Sequence, residues 1–370
     1  MHAFDWHQPV RVRFGAGCSD DLADALGARP VCVLAFEPAT RLGLRARWGK
    51  SLGGRLHAWI EVPEGLSTLA LARDLSVRVW PVLRTAPDAV LVGVGGGSAL
   101  DLAKLLRVLP AEGAAGGFDA VAAALRGGAP WPAHRLSPLW LVPTTAGTGS
   151  EVTRWATLWD TETQPPRKRS FDEPWGWADR AFIDPLLVAT APSSVMRNAA
   201  LDAIGHALEA LWNRHANPVS DALALQAARR VVRHLPEVMR DPRSTGGCEA
   251  LSLAALEAGL AFAQTRTALA HALSYDLTLE QGVAHGLAVA VWLPAVWQLA
   301  VGRDAHVDRR LAQVFDVPAT AGPACLEAWL GGVAAPIGPG AFGITDADAE
   351  RRLRAALTSE RGRNFIGAGG

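Results

Sequence analysis

The chain reads as an α/β unit over residues 1–184 followed by an all-helical unit over 185–370. Three observations predict this. Short apolar runs alternate with helix-compatible segments as far as Ile183. Beyond Pro185 the apolar residues recur at helical rather than strand spacing. A length of 370 residues also allows two separate cores.

In the first half, Val31–Phe36, Ala89–Val94 and Leu139–Val142 are brief apolar runs, each followed by Gly, Pro or polar residues. Asp20–Leu26 and Ser67–Val79 lie between them as helix-compatible pieces. Strands alternating with helices predict a parallel sheet covered on both faces. Ala181-Phe-Ile-Asp-Pro185 is the last short strand before the pattern changes. The segments near 194–213, 217–236, 248–274 and 285–300 then carry Ala and Leu at helical spacing, with Pro218 suited to a first helical turn. The apolar run Gly286–Val301, interrupted by Pro294 and Gln298, is short for a bilayer span and is expected as a buried core helix. Thr345-Asp-Ala-Asp348 supplies an N-terminal cap for a last helix over 346–357.

Hydrophobic residues make up 49% and charged residues 19% of the chain, as in a compact protein. Its 36 basic residues balance 36 acidic ones, so nothing electrostatic predicts nucleic acid or an anionic membrane as partner. Cys18, Cys32, Cys248 and Cys325 form no CxxC pair, and reduced cytoplasmic thiols are expected. Met-His-Ala-Phe-Asp-Trp-His has neither the basic region nor the apolar run of a signal peptide. The 14 tryptophans are spread along the chain, as packing residues would be.

Gly95-Gly96-Gly97-Ser98 follows an apolar strand and opens a helix, with Asp101 and Lys104 at fixed offsets. Glycines there let backbone N–H groups approach an anion, and the helix presents its positive end. The spacing is not GxGxxG, yet strand, glycines and helix in this order make a pyrophosphate cradle. A second polar turn, Pro143-Thr-Thr-Ala-Gly-Thr-Gly-Ser-Glu151, follows the strand ending at Val142, where open α/β sheets bind ligands. Alone, it would read as a solvated loop.

The second half holds Asp202, His206, His271 and His285. Asp202 and His206 are four apart and project from one helix face. A single histidine in an apolar helix is more often a hydrogen-bonded core residue than a ligand. A carboxylate on such a helix is different, because its desolvation must be offset by a cation or donors. Three imidazoles and one carboxylate suit one divalent metal, Fe(II) or Zn(II). His2, His7, His57, His134, His215, His234 and His306 show no comparable pairing. A dinucleotide cradle followed by a one-metal site points to metal-assisted hydride transfer.

The GGGSxxDxxK loop, PTTAGTGSE and the Asp202, His206, His271, His285 spacing together resemble the iron-containing, group III alcohol dehydrogenases, in order along essentially the whole chain. The resemblance implies the dehydroquinate synthase-like fold, with a dinucleotide-binding α/β domain and a helical catalytic domain. It puts the metal on Asp202, His206, His271 and His285. It puts the pyrophosphate on Gly95, Gly96, Gly97 and Ser98 with Asp101 nearby, and the rest of the nucleotide on Thr144, Thr145, Thr148, Ser150 and Lys168. Phe36 stands where NAD-preferring relatives often carry an acid, and the adjacent Glu37 can take its place, which leaves NAD versus NADP open.

Within that family, Glu151–Asp160, Leu201–Trp212 and Thr265–Tyr275 resemble the phosphonoacetaldehyde reductase branch, although Asp276 replaces its usual proline. Tyr275, the one tyrosine, stands where many members have a second histidine near the reacting oxygen. The expected activity is NAD(P)H-linked reduction of a small aldehyde, phosphonoacetaldehyde first, with the proton from Tyr275, the cofactor ribose or water. Arg154 and Arg266 are the candidates to pair with a phosphonate, against the plainer reading of salt-bridge arginines. A homodimer is expected. The rivals are a general alcohol or diol dehydrogenase, a related metal-dependent lyase, and a nucleotide- and metal-binding protein without turnover.

Overall fold

The computed structural model describes residues 3–112 and 116–368. They form two compact units. One holds Pro9–Thr144 and Ser150–Thr190; the other holds the stretch up to Gln8, Thr145–Gly149 and the chain from Ala191 onward.

Among the described residues, the first unit is built on ten strands: β1 Arg11–Phe14, β2 Val31–Phe36, β3 Leu56–Val62, β4 Val90–Gly95, β5 Val108–Pro110, β6 His134–Leu136, β7 Leu139–Pro143, β8 Trp155–Asp160, β9 Arg167–Asp172 and β10 Arg180–Ile183. Six make one sheet in the order β1-β10-β7-β4-β2-β3, and every pairing in it is parallel. Alternate residues of β2 and β4 enter opposite faces. Val31, Val33, Val90, Val92 and Val94 pack with Leu22, Trp48 and Trp140 in one core, while Cys32, Leu34 and Leu91 are buried on the other side. Burial on both faces is why these strands are continuous apolar runs.

Sheet order decides where a ligand can sit. From β2 the chain runs to β3 on one side and then returns to β4 on the other. Strand order therefore reverses between β2 and β4, and the crevice beyond their carboxyl ends is where such sheets bind nucleotides. Helix α1, Leu69–Thr85, makes the crossover from β3, and α2, Gly97–Leu106, leaves β4. At Gly93 a Cβ would lie 2.7 Å from the Ala103 methyl and 2.9 Å from Leu141 Cδ2, so α2 packs on β4 only because that side chain is absent.

Several strands lay outside the sequence expectation. β1 is an edge strand of mixed composition and mostly exposed, and β3 alternates buried and less buried residues instead of forming an apolar run. β8 and β9 make a separate antiparallel hairpin with charged residues along β9.

The second unit is helical: α3 Ser193–Leu211, α4 Pro218–Arg240, α5 Thr245–Thr265, α6 Leu269–Gln281, α7 His285–Ala290, α8 Leu293–Ala300, α9 Ala305–Phe315 and, later, α10 Asp346–Leu357. Pro218 opens α4 behind an Asn217/Ser220 capping box, and Thr345 Oγ1 accepts from Asp348 N at 3.3 Å to start α10. Trp212, Trp292 and Trp297 are fully buried, and Trp297 Nε1 donates to Ala319 O at 3.0 Å. Helix α5 is long and apolar enough to cross a membrane, but most of it is buried and it packs on α3 and α4.

Two expected helices are each broken. The segment 285–300 is α7 plus α8, with Pro294 in the first turn of the new helix, where its missing N–H costs nothing. The segment 248–274 breaks at Arg266, whose backbone turns to φ 67°, ψ 171° before α6 begins. Arg266 is thus an exposed helix cap and does not lie on the helix that bears His271.

That backbone is one few non-glycine residues adopt, and such strain costs on the order of 1–3 kcal/mol. The turn's bonds, Arg266 N to Phe262 O and Asn213 Nδ2 to Arg266 O, use main-chain atoms only at this position. Arg266→Gly keeps them and relieves the strain, so a net gain of about 1 kcal/mol is expected after glycine's entropy. Calorimetry should show the helical unit melting roughly 2–4 °C higher; a lower midpoint would show that the side chain supports the turn.

Candidate functional site

Asp202 is near the middle of α3, one turn before His206; His271 is in the first turn of α6, and His285 opens α7. Glycines bring the helices together. A Cβ on Gly286 would lie 1.9 Å from Asn198 O and 2.8 Å from Asp202 N, and one on Gly205 would lie 2.7 Å from Val289 Cγ1. With hydrogen at both positions, α7 lies directly on α3 beside Asp202.

Donor atoms of Asp202, His271 and His285 all fall within 4.8 Å of one another. His271 Nε2 is 3.4 Å and His285 Nε2 3.7 Å from Asp202 Oδ1. His206 stands alongside this trio and is not part of the closest set: its Nδ1 is 3.9 Å from Asp202 Oδ2. Its ring is stacked between Phe262, at 4.1 Å, and His271, at 4.5 Å between centroids.

The chemistry of these atoms fits a metal. Asp202 Oδ1, His206 Nδ1 and His271 Nε2 are buried without a hydrogen-bond partner among the described residues. Such atoms carry a desolvation penalty that coordination would remove. Burial would raise the Asp202 pKa, but His206, His285 and His271 outweigh it and hold the carboxyl below its usual range. Burial pushes His206 down to about 4, keeping it neutral as a ligand must be. His271 is raised despite burial, because Glu209 and Asp202 flank it. The site favours positive charge.

Glu209, which the sequence reading passed over, is as well placed as the ligands. It is fully buried two turns after Asp202 on α3. It accepts from His271 Nδ1 at 2.7 Å and from Ala268 N at 2.6 Å, in the gap before α6. The available signal was a second carboxylate on the same apolar face, seven residues from Asp202.

Tyr275 follows His271 by one turn of α6 and sits under the Arg361 guanidinium, 5.7 Å from the ring centroid. Burial pushes its hydroxyl up to about 12.

In the α/β unit, Gly95 has φ 150°, and a Cβ there would lie 2.7 Å from Ala99 Cβ and 2.8 Å from Phe36 Cβ. Gly96 caps α2, and Gly97 and Ser98 form its partly exposed first turn, where main-chain N–H groups lack helical partners. Glu37 opens the short helix directly after β2, on the strand next to β4. Thr144 N donates to Gly95 O at 2.9 Å, which ties the second polar turn to the first. Cradle, Glu37 and Thr144 thus share the carboxyl edge of the sheet.

Asp101 and Lys104 have protein partners. Asp101 accepts from Ser150 Oγ at 2.7 Å and Thr157 N at 2.8 Å. Lys104 Nζ, fully buried, donates to Trp155 O at 2.6 Å. Burial lowers Lys104 to about 8 and raises its neighbour Glu151 to about 7. Together they fasten residues 150–157 to the cradle helix. Burial raises the Asp101 pKa, and Lys168, on β9, is among the groups that oppose the rise. Arg154 is ion-paired with Asp172 at 2.7 Å.

Thr145–Gly149 belongs to the helical unit. A Cβ on Gly147 would lie 2.5 Å from Ala199 O, and one on Gly149 2.6 Å from Gly259 Cα, so the turn lies flat on α3 and α5. Thr145 and Thr148 remain half-buried.

A reversing parallel sheet with a glycine cradle, joined to a helical unit with a histidine–carboxylate metal set, defines a nucleotide-dependent metalloenzyme. Residues 9–185 match the model described as iron-containing alcohol dehydrogenase, and residues 197–325 match the C-terminal model of that family. The chain belongs to the iron-containing alcohol dehydrogenase family, whose members are NAD(P)-dependent alcohol dehydrogenases and aldehyde reductases. It is 32% identical to long-chain-alcohol dehydrogenase 1 of Geobacillus thermodenitrificans, over 95% of this chain and 90% of that one. It is 36% identical to phosphonoacetaldehyde reductase of Streptomyces viridochromogenes, over 61% of this chain and 55% of that one. Sulfoacetaldehyde reductase from Bifidobacterium kashiwanohense, solved with NAD+, superposes with a TM-score of 0.85 at 22% identity, covering 99% of this chain and 95% of that one.

Two outcomes follow from the geometry. Asp202→Ala removes the carboxylate that faces all three imidazoles, so purified protein should hold less than about a tenth of the wild-type metal while binding NADH normally; full metal occupancy would refute the ligand set. At Gly95 an added methyl meets Ala99 and Phe36 on a strained backbone. Gly95→Ala is expected to weaken NADH binding by ~10-fold or more in a fluorescence titration, a loss of about 1.4 kcal/mol. Unchanged affinity would mean the loop is only a turn.

Proposed function

We infer that this chain reduces a small anionic aldehyde to its alcohol with NAD(P)H, phosphonoacetaldehyde being the substrate we propose, yielding 2-hydroxyethylphosphonate. The observation that carries the reading is the set of buried Asp202 and His271 with half-buried His285, with Tyr275 one turn further along α6 and a guanidinium above its ring. The phosphonoacetaldehyde reductase relative supports the choice of substrate, and the sulfoacetaldehyde reductase fold supports an acidic tail on a two-carbon aldehyde.

In the reaction the aldehyde, a hydride and a proton become the alcohol, and the reduced nicotinamide supplies the hydride. Asp202, His271 and His285, with His206 beside them, would hold a divalent Fe or Zn, which supplies Lewis-acid polarisation of the carbonyl. Tyr275 keeps its proton at neutral pH because burial opposes the phenolate, so it can donate to the oxygen as the alcohol forms. The Phe262 ring stacked on His206, and the burial of His206 and His271, keep water from those two imidazoles.

A phosphonate dianion needs a cation. Arg154 is held by Asp172, and Arg266 caps α5 away from the turn that carries His271. Arg361 lies over Tyr275 and also donates to Thr267 Oγ1 at the entrance to α6. It takes the anion-binding role in this reading.

The whole-length relative is named for long-chain alcohols, and that favours an uncharged substrate as the second reading. Steady-state reduction of phosphonoacetaldehyde, sulfoacetaldehyde, propanal and hexanal with each nicotinamide separates the two. The anionic aldehydes should exceed propanal in kcat/KM by on the order of 30- to 1,000-fold, as a desolvated charge-assisted contact implies. Arg361→Met should erase that margin, its loss on the anionic aldehydes far exceeding its loss on propanal. Wild-type preference for propanal or hexanal would overturn the substrate and leave the family intact.

A further inference from the structure

Glu209 has no part in the reaction as described, yet its carboxylate is the most heavily engaged group beside the metal set. Oε2 accepts from Ala268 N at 2.6 Å and from His271 Nδ1 at 2.7 Å. Oε1 accepts from Ala270 N at 2.5 Å and from His271 N at 3.2 Å. All four contacts come from donors, and the side chain is fully buried, so water cannot stand in for any of them. Only a group that accepts on both atoms satisfies this position.

The geometry points to Glu209 as the positioning residue of the metal centre, resting on the reading of Asp202, His271 and His285 as ligands. By accepting from Nδ1 it holds the His271 proton on that nitrogen. Nε2 then carries the lone pair, and Nε2 is the atom 3.4 Å from Asp202 Oδ1 without a hydrogen-bond partner. A ring held this way has one tautomer, one orientation and a more basic donor. The same carboxylate accepts from the main-chain N–H groups at the start of α6, which have no partners within the helix. Ring and helix are therefore set by one group on α3.

Glu209→Gln tests this directly. The glutamine amide must place its NH2 against one of the two donor pairs. Facing His271, it drives the ring to the tautomer with its proton on Nε2, and that nitrogen can no longer bind a metal. Zn(II) affinity, measured by competition with a chelating indicator, is expected to fall by about 10- to 100-fold. Far-UV circular dichroism and NADH binding should stay at wild-type values, which a general loss of structure would not allow. An E209Q protein that binds Zn(II) as tightly as wild type overturns the role of Glu209.

Should E209Q fail to fold, the wild type decides. With 15N-labelled histidine and bound Zn(II), His271 should show a protonated Nδ1 and a metal-bound Nε2; a metal-bound Nδ1 overturns the proposal. A wild-type protein that takes up neither Zn(II) nor Fe(II) overturns the ligand reading itself, and the positioning role with it. Tight wild-type binding with no E209Q effect overturns the positioning role alone.

Discussion

Burying the Asp202 carboxylate constrains everything around it. An ionised carboxylate inside an apolar helical unit is tolerable only with compensating positive charge or donors. The structure supplies imidazoles from three helices and leaves Oδ1, the oxygen that faces His271 and His285, without a hydrogen bond. A cation at that point would supply the partner that this oxygen lacks. The ligand set and the packing of α3, α6 and α7 are one problem with one solution.

That solution depends on side chains that are missing as much as on those present. Hydrogen at Gly205 and Gly286 lets α7 reach the backbone of α3, and His285 arrives beside Asp202 as a result. Glu209 then anchors the start of α6 from the same face of α3. The chain accepts an unfavourable backbone at Arg266 immediately before this anchor. Local strain there is outweighed by the fixed position of His271, a pattern seen where geometry serves a site.

The α/β unit uses the same device for a different end. Absent side chains at Gly93 and Gly95 let the cradle helix close on β4 and bring its first turn to the carboxyl edge of the sheet. Asp101 and Lys104, which sit at motif positions, point into protein and tie the cradle helix to residues 150–157. Residues 150–157 are thereby held to the cradle helix by one buried polar network, whose members would be costly to leave unpaired.

Sequence alone determined the two-unit plan, the central strands, the cradle, the capped helices and the four candidate ligands. Each of these is written locally: apolar runs for strands buried on both faces, glycines beside a strand end, Pro218 and Thr345 at helix starts, a carboxylate four residues from a histidine. The exposed β1, the alternating β3 and the β8–β9 hairpin escaped, because strands that are not wholly apolar leave no strong local signal. So did the break before Pro294, where apolar composition continues across the end of a helix, and the break at Arg266, where the polar run Gln264-Thr-Arg-Thr267 also suits one exposed helical turn. Only the tertiary structure decided that Asp202, His271 and His285 form the tight set with His206 stacked alongside, and that Glu209 accepts from His271 Nδ1. The physical reason is that a helix face is encoded in its own spacing, whereas the distance between two faces is set by what both helices leave out.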